Sequence, residues 1–183
     1  MIKKIVIVNV LLISTLAVYG QKYMTQTGKI KFFSATPIEN IEAYNNQVSS
    51  VINMETGDLV FTLLMKAFNF EKALMQEHFN EKYVESDKFP KSVFKGRVTN
   101  FDELSFDQNG PDAQISGQLT IHGVTKNVEA SGKLLKKPDG TIHGTSIFSI
   151  VPEDYNIKIP APVRDNIAKT IEITVNLEYE KLD

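Results

Sequence analysis

The chain has 183 residues, with 20 Lys and Arg against 22 Asp and Glu, and neither Cys nor Trp. A near-balanced charge leaves no electrostatic footprint for nucleic acid. The missing Cys excludes disulfides, thiolate metal centres and lipid attachment through a cysteine, so stability must come from a core, which a chain of this length can build.

Lys3 and Lys4 precede a mostly apolar run over residues 5–18, and Val18-Tyr19-Gly20 places a small residue before Gln21. That pattern predicts a secretory signal peptide over residues 1–20, cut after Gly20. The run is short for a membrane span of about 20 residues, which disfavours a retained anchor. Residues 21–183 are then expected as one domain, periplasmic or secreted. This domain is more acidic than the whole chain, because Lys3 and Lys4 leave with the leader.

Residues 23–34 read as a strand, with Ile30 and Phe32 alternating against Lys29 and Lys31. Residues 35–46 carry Pro37 and several Asn, and read as a connection with local helix or turn. Residues 47–53 return to strand. Met54-Glu55-Thr56-Gly57 makes a hairpin turn with Gly57 at the position that needs positive φ. Residues 58–66 come back with Leu59, Phe61, Leu63 and Met65 on one face.

The period then changes. Phe70, Leu74, Met75, His78, Phe79 and Tyr83 recur at helical spacing. An amphipathic helix is predicted over 71–84, with Asn69 as its N-cap and Glu71 at the positive end of its dipole. Its apolar stripe should lie over an open end or seam of a sheet. Pro90 ends the segment by holding Phe89 extended.

Residues 91–101 read as strand, followed by a polar turn through Asp107, Asn109, Gly110 and Pro111. Next comes a hairpin. Ile115, Gly117, Leu119 and Ile121 share one face, and Gln114, Ser116, Gln118 and Thr120 the other. Gly123 breaks the alternation at a tight turn, and it resumes through Val128, Ala130, Gly132 and Leu134. Lys136-Lys137-Pro138-Asp139-Gly140 is a turn and 141–151 a strand. Residues 152–170 hold Pro152, Pro160 and Pro162 and read as a long loop, the kind that forms lids or binding edges. The last strand points Ile171, Ile173, Val175, Leu177 and Tyr179 inward, and Glu172, Thr174, Asn176, Glu178 and Glu180 outward. Seven or eight antiparallel strands with one helix predict a mainly β fold, closed or packed so that few edges remain. Eight such strands form a barrel that is either solid or able to hold one small ligand.

Groups for catalysis are sparse. His78, His122 and His143 lack the spacing of a metal pair, and no Cys joins them. His78 reads as a polar tip on a helix face, His122 as a hairpin-edge residue, and His143 as a strand residue facing solvent or a neighbour. There is no G-x-S-x-G elbow and no phosphate-cradling loop. Asp102-Glu103 and Glu153-Asp154 read as solvated loop acids whose side chains point apart, and Lys133, Lys136 and Lys137 as a solvated turn. The reading is a non-enzymatic chain with no metal and no cofactor.

Apolar surface remains. Phe32, Phe61, Leu63, Phe94, Ile121, Phe148 and Ile173 are the candidates to line a ligand site, and Phe101 also falls in a predicted strand. Gly96, Gly117, Ala130, Gly132 and Gly144 lie in strands as well. They either permit the tight bends of a closed barrel or leave room for a long apolar ligand.

Leu119-Thr120-Ile121-His122-Gly123-Val124-Thr125-Lys126 resembles the LTI-x-G-V-T-K hairpin of the YceI family. The run from His78 through Phe89-Pro90 resembles that family's helix and its aromatic-Pro step into a strand, and Val93-Phe94-Lys95-Gly96 continues the match. Asp154-Tyr155-Asn156-Ile157 resembles its late D-aromatic-G-I segment, with Asn156 where Gly is usual. The resemblance implies an antiparallel, eight-stranded, lipocalin-like β-barrel, exported, with an apolar channel for polyisoprenoids or similar amphiphiles. The function expected from it is non-catalytic binding or sequestration of a polyisoprenoid or lipid in the barrel interior. The helix and the 152–170 loop would lie near the opening, and peripheral contact with a membrane is expected. The alternative is a partner-binding or stress-response barrel with a solid core and no ligand. A lipid-acting enzyme would need His78, His122 and a carboxylate gathered in space.

Overall fold

The computed structural model of the protein describes residues 21–182. The signal peptide expected over residues 1–20 lies outside the described residues. The elements in chain order are β1 (Lys22–Ala35), β2 (Asn40–Asn53), β3 (Asp58–Leu64), β4 (Asn69–Phe70), α1 (Ala73–His78), β5 (Lys91–Val98), β6 (Ala113–Ile121), β7 (Val124–Lys136), β8 (Ile142–Ile150) and β9 (Ile171–Lys181).

Eight strands pair antiparallel in the order β1-β9-β8-β7-β6-β5-β3-β2, and β1 pairs again with β2 to close the ring. The fold is therefore a closed eight-stranded antiparallel barrel, and the two-residue β4 adds to the outer reach of β2. Closure leaves each long strand a partner on both sides, which removes the exposed edges of an open sheet. β1 sits opposite both neighbours through its apolar positions: Phe32 lies across from Ala43 on β2 and Ile173 on β9.

Alternation places one face of each strand inside. On β9, Ile171, Ile173, Val175, Leu177 and Tyr179 are all buried, while Glu172, Asn176, Glu178 and Glu180 are exposed. One end of the barrel gathers the 54–57, 99–112 and 137–141 connections. It is packed by Tyr179, Ile52, Ile142 and Val98, each about 1% exposed. The other end gathers the 36–39 turn, the segment from β3 to β5 with α1, the His122-Gly123 turn and the 151–170 loop.

Three expectations need correction. Residues 35–46 are not a helix or a long connection: β2 already begins at Asn40. The turn spans only four residues, and the Thr36 hydroxyl organises it by donating to the Glu39 carbonyl and accepting from the Ile38 and Glu39 amides. Asn45 is fully buried inside the strand, where its Nδ2 donates to the Leu64 carbonyl at 3.0 Å and spans the seam opening between β2 and β3. An Asn that reads as a turn residue here supplies a ladder bond that the diverging backbones cannot make.

The helix starts later than expected and ends differently. Its N-cap is Lys72, without a side-chain cap, and Asn69 lies in β4. Gln76 Oε1 instead accepts from the Phe70 amide at 3.2 Å and ties the helix back to β4. After His78 the helix widens into a π-helical turn over Phe79–Tyr83, with the Val84 amide donating to the Phe79 carbonyl. The wider turn rotates Tyr83 and Val84 onto the face of Met75, His78 and Phe79. Leu74, assigned to the apolar stripe, points to solvent at 61% exposure.

Phe101, expected in a strand, lies in a short 3-10 turn after β5 and packs edge-on against Phe106 at 5.5 Å on the closed end. Its ring sits over Gly57, whose φ of 73° makes the expected hairpin turn.

Candidate functional site

The barrel encloses a cavity of about 340 Å³. Small-molecule sites run from about 300 to 1,000 Å³, so this one lies within the range at its small end. The walls are almost wholly apolar side chains from all eight barrel strands. Phe32, Phe61, Leu63, Phe94, Ile121, Phe148 and Ile173, the seven candidates named from sequence, all line this one void. The cavity stops at Tyr179. Its hydroxyl is 2.7 Å from Ser50 Oγ, which itself donates to the Val60 carbonyl at 2.9 Å. Ser50 has one hydrogen to give, so Tyr179 is the donor to it. Burial pushes the Tyr179 phenol up to about 12, and it stays neutral at the floor.

The small residues divide between the two roles. Ala130, Gly132 and Gly144 border the cavity. Gly96 and Gly117 face each other across β5 and β6, with the tip of the Phe94 ring over both. A Cβ on Gly117 would lie 2.5 Å from Gly96 Cα and 2.7 Å from Phe94 Cζ. This pair makes space for an aromatic ring of the protein itself.

The mouth is covered by α1 and its π-helical turn. Phe79 is the hub of four rings, with centroids 5.0 Å from Phe70, 5.5 Å from Phe68 and 6.1 Å from Phe32. Such tilted and edge-on pairs add about 0.5–1.5 kcal/mol each beyond area burial. The 151–170 loop supplies the rest of the cover through Pro152, Ile157, Ile159, Val163 and Ile167. Glu39 ties both covers to the β1–β2 turn: it pairs with Lys72 at 2.9 Å and accepts from Asn166 Nδ2 at 3.2 Å. Those two partners, Lys72 first, hold its carboxyl below the usual carboxylate range.

A second node lies beside the mouth. His122 Nδ1 is 3.0 Å from the Tyr155 carbonyl, and Phe89 stacks edge-on against the ring at 4.5 Å. Its other nitrogen meets Glu85, just after the helix. By its place in the sequence His122 is a hairpin-edge residue. It does lie in the turn, yet its side chain joins three separate segments. No local signal reports this, because the partners lie 37 and 33 positions away.

The remaining candidates stay apart. His78 lines the cavity from α1 and shares no hydrogen bond with the His122–Glu85 pair among the described residues. His143 sits on the outer wall, 3.4 Å from Glu178. Glu153 pairs with Arg164 within the loop. Lys133 pairs with Asp112 and Lys137 with Glu178, both at 2.8 Å. Among the described residues no three His, Asp or Glu are placed to hold a metal ion, and no helix is long and apolar enough to cross a membrane.

A comparison with curated proteins finds no match. Among solved structures, a polyisoprenoid-binding domain from Saccharophagus degradans has a TM-score of 0.75 at 14% identity, covering 88% of this chain and 99% of its own. BcnA of Burkholderia cenocepacia has a TM-score of 0.70 at 13% identity, covering 84% and 96%. The YceI protein of Campylobacter jejuni has 0.53 at 17%, covering 76% and 83%. At such identities the likeness is one of fold. The sequence model of the YceI-like domain matches residues 15–179, and the chain belongs to the YceI-like domain family.

Proposed function

We propose that the protein is a non-catalytic carrier that sequesters a long apolar or amphiphilic molecule, a polyisoprenoid or similar lipid, inside the barrel. It would work outside the cytoplasm once residues 1–20 are removed. The observation that carries this reading is the void itself, apolar from Phe32 at the mouth to Tyr179 at the floor. Each buried CH₂ contributes about 0.8 kcal/mol, so a tail can bind without a charged anchor, after ordering costs are met. An apolar wall discriminates poorly between tails, and broad tail specificity follows. The polyisoprenoid-binding domain of Saccharophagus degradans shares the fold, which supports the ligand class.

The partner-binding alternative calls for a solid core, and the cavity counts against it. The test is native mass spectrometry of protein exported in cells whose membranes contain prenyl lipids. An adduct of prenyl-lipid mass, removed by organic extraction and restored by adding the lipid back, is expected. Protein that never carries lipid and never reloads overturns the proposal.

A further inference from the structure

The chain between β3 and β5 leaves the barrel wall and returns to the point it left. Leu64 pairs with Lys91, and the Met65 amide donates to the Pro90 carbonyl at 2.9 Å. Buried side chains mark its two roots, Met65 and Phe68 on the way out and Val84 and Ser86 on the way back. None lies between them over residues 69–83. That middle part is bonded to itself: Asn80 Nδ2 donates to the Gln76 carbonyl at 2.9 Å, and Gln76 Oε1 accepts from the Phe70 amide. Its polar ties to the barrel are few among the described residues. They are the two-residue β4, the Asn69 side-chain amide at 3.5 Å from the Tyr44 carbonyl, and the exposed Lys72–Glu39 pair. The 151–170 loop is held otherwise. It buries Pro152, Tyr155 and Ile157, and its Ala168 amide donates to the buried Ser34 Oγ at 2.9 Å.

We infer that residues 69–83 form a hinged flap that gates the cavity, turning as one body on roots at Phe68 and Val84 while the 151–170 loop stays in place. Phe70, Met75, His78, Phe79 and Tyr83 of the flap line the void, so lifting it uncovers the interior. A segment opens locally where few apolar side chains are buried and stays shut where its anchors are buried. By that measure the flap is the weaker of the two covers. Its internal hydrogen bonds survive the motion, and the dihedral change falls on the roots. The return root is fixed, because Glu85, just past Val84, meets His122. Opening gives up the β4 pairing, the Lys72–Glu39 clasp and the contact of the Phe79 and Phe32 rings. This inference rests on the carrier reading and adds how its site opens.

The chain has no Cys, so an introduced pair of thiols reacts alone. Glu39 holds both covers, and two pairs built on it compare them. Glu39→Cys with Lys72→Cys ties the flap to the β1–β2 turn, and Glu39→Cys with Asn166→Cys ties the loop to it. Each pair is bridged by a short bis-methanethiosulfonate and freed again with dithiothreitol. Release of bound N-phenylnaphthylamine is followed by stopped-flow fluorescence. The flap bridge should slow release by about tenfold or more, a barrier change of about 1.4 kcal/mol, and cutting it should restore the rate. The loop bridge should leave the rate unchanged. Lys72→Met, at an exposed site, should speed release about two- to fivefold, the reach of a surface ion pair. Release indifferent to the flap bridge, or slowed by the loop bridge instead, overturns the gate while leaving the carrier intact. If the unmodified protein takes up no probe, the carrier reading falls and the gate falls with it.

Discussion

His122 Nε2 lies 2.7 Å from the Glu85 carboxylate, and both residues hold left-handed backbone angles, φ 50° for His122 and 43° for Glu85. The carbonyl that meets the other ring nitrogen belongs to Tyr155, directly before Asn156, whose φ is 58°. Three of the four left-handed non-glycine residues among those described thus meet at one node. Each costs about 1–2 kcal/mol over a relaxed backbone. A carbonyl and a carboxylate are both acceptors, so the ring donates to both only when both nitrogens carry hydrogen. The node binds the helix exit, the β6–β7 turn and the 151–170 loop at the rim of the mouth.

The node should show in acid. The His122 hydrogen bond holds the Glu85 carboxyl below its ordinary pKa. A carboxylate depressed in the folded state stabilises the fold above its unfolded pKa, and that contribution is lost as pH falls through the folded value. Melting temperatures of the unmodified protein and of Glu85→Gln should therefore differ at neutral pH and converge below the normal Glu range. A gap that is constant with pH refutes the pairing.

Backbone strain at the same residue makes a separate expectation. Glu85→Ala loses the ion pair and keeps the left-handed angle, whereas Glu85→Gly loses the pair but adopts that angle freely. Glu85→Gly should be the more stable of the two by about 1 kcal/mol in urea unfolding. The reverse order would mean that the segment relaxes out of the left-handed region.

Phe79 should govern entry. Phe→Ala in a full core costs about 3–5 kcal/mol. Phe79 is only partly buried, so Phe79→Ala should cost less, about 1–3 kcal/mol. Removing the hub of the ring cluster should also accelerate exchange of a bound apolar dye, read by stopped-flow fluorescence. Unchanged exchange would place the entry route elsewhere.

Gly117 tests close approach. With its added Cβ 2.5 Å from Gly96 Cα and from the Lys95 carbonyl, Gly117→Ala should destabilise by about 1–3 kcal/mol through overpacking. Denaturant titration measures this. A neutral result would show that β5 and β6 can spread.

Ala130 tests the void from the other side. It lines the cavity, so Ala130→Phe should fill the space and abolish uptake of an apolar probe while the far-UV circular dichroism is preserved. Retained uptake would show that the ligand lies elsewhere.

How much of this could be read along the chain depends on the range of the interaction. β9 is legible because inside and outside alternate without a break from Ile171 to Glu180. The 54–57 turn is legible because Gly57 answers a local dihedral need. The start of β2 is not legible. Asn40 and Asn45 look like turn residues until β1 and the Leu64 carbonyl supply their partners. The helix is legible from its period, but its start is not, because β2 draws Asn69 and Phe70 into β4. Asn156, which departs from the family's usual Gly, accepts the left-handed angle that the turn demands.

Periodicity, turn chemistry and a few short motifs were enough to specify strands, a barrel and a family, since each depends on residues within a few positions of one another. They also picked seven wall residues, because the inward face of a strand follows from alternation alone. That a hollow survives between those walls, that Phe94 fills the gap at Gly96 and Gly117, and that His122 reaches Glu85 and Tyr155 all depend on strands far apart in the chain being brought side by side. Space is a property of what fails to meet, and only the closed ring of strands settles which side chains meet.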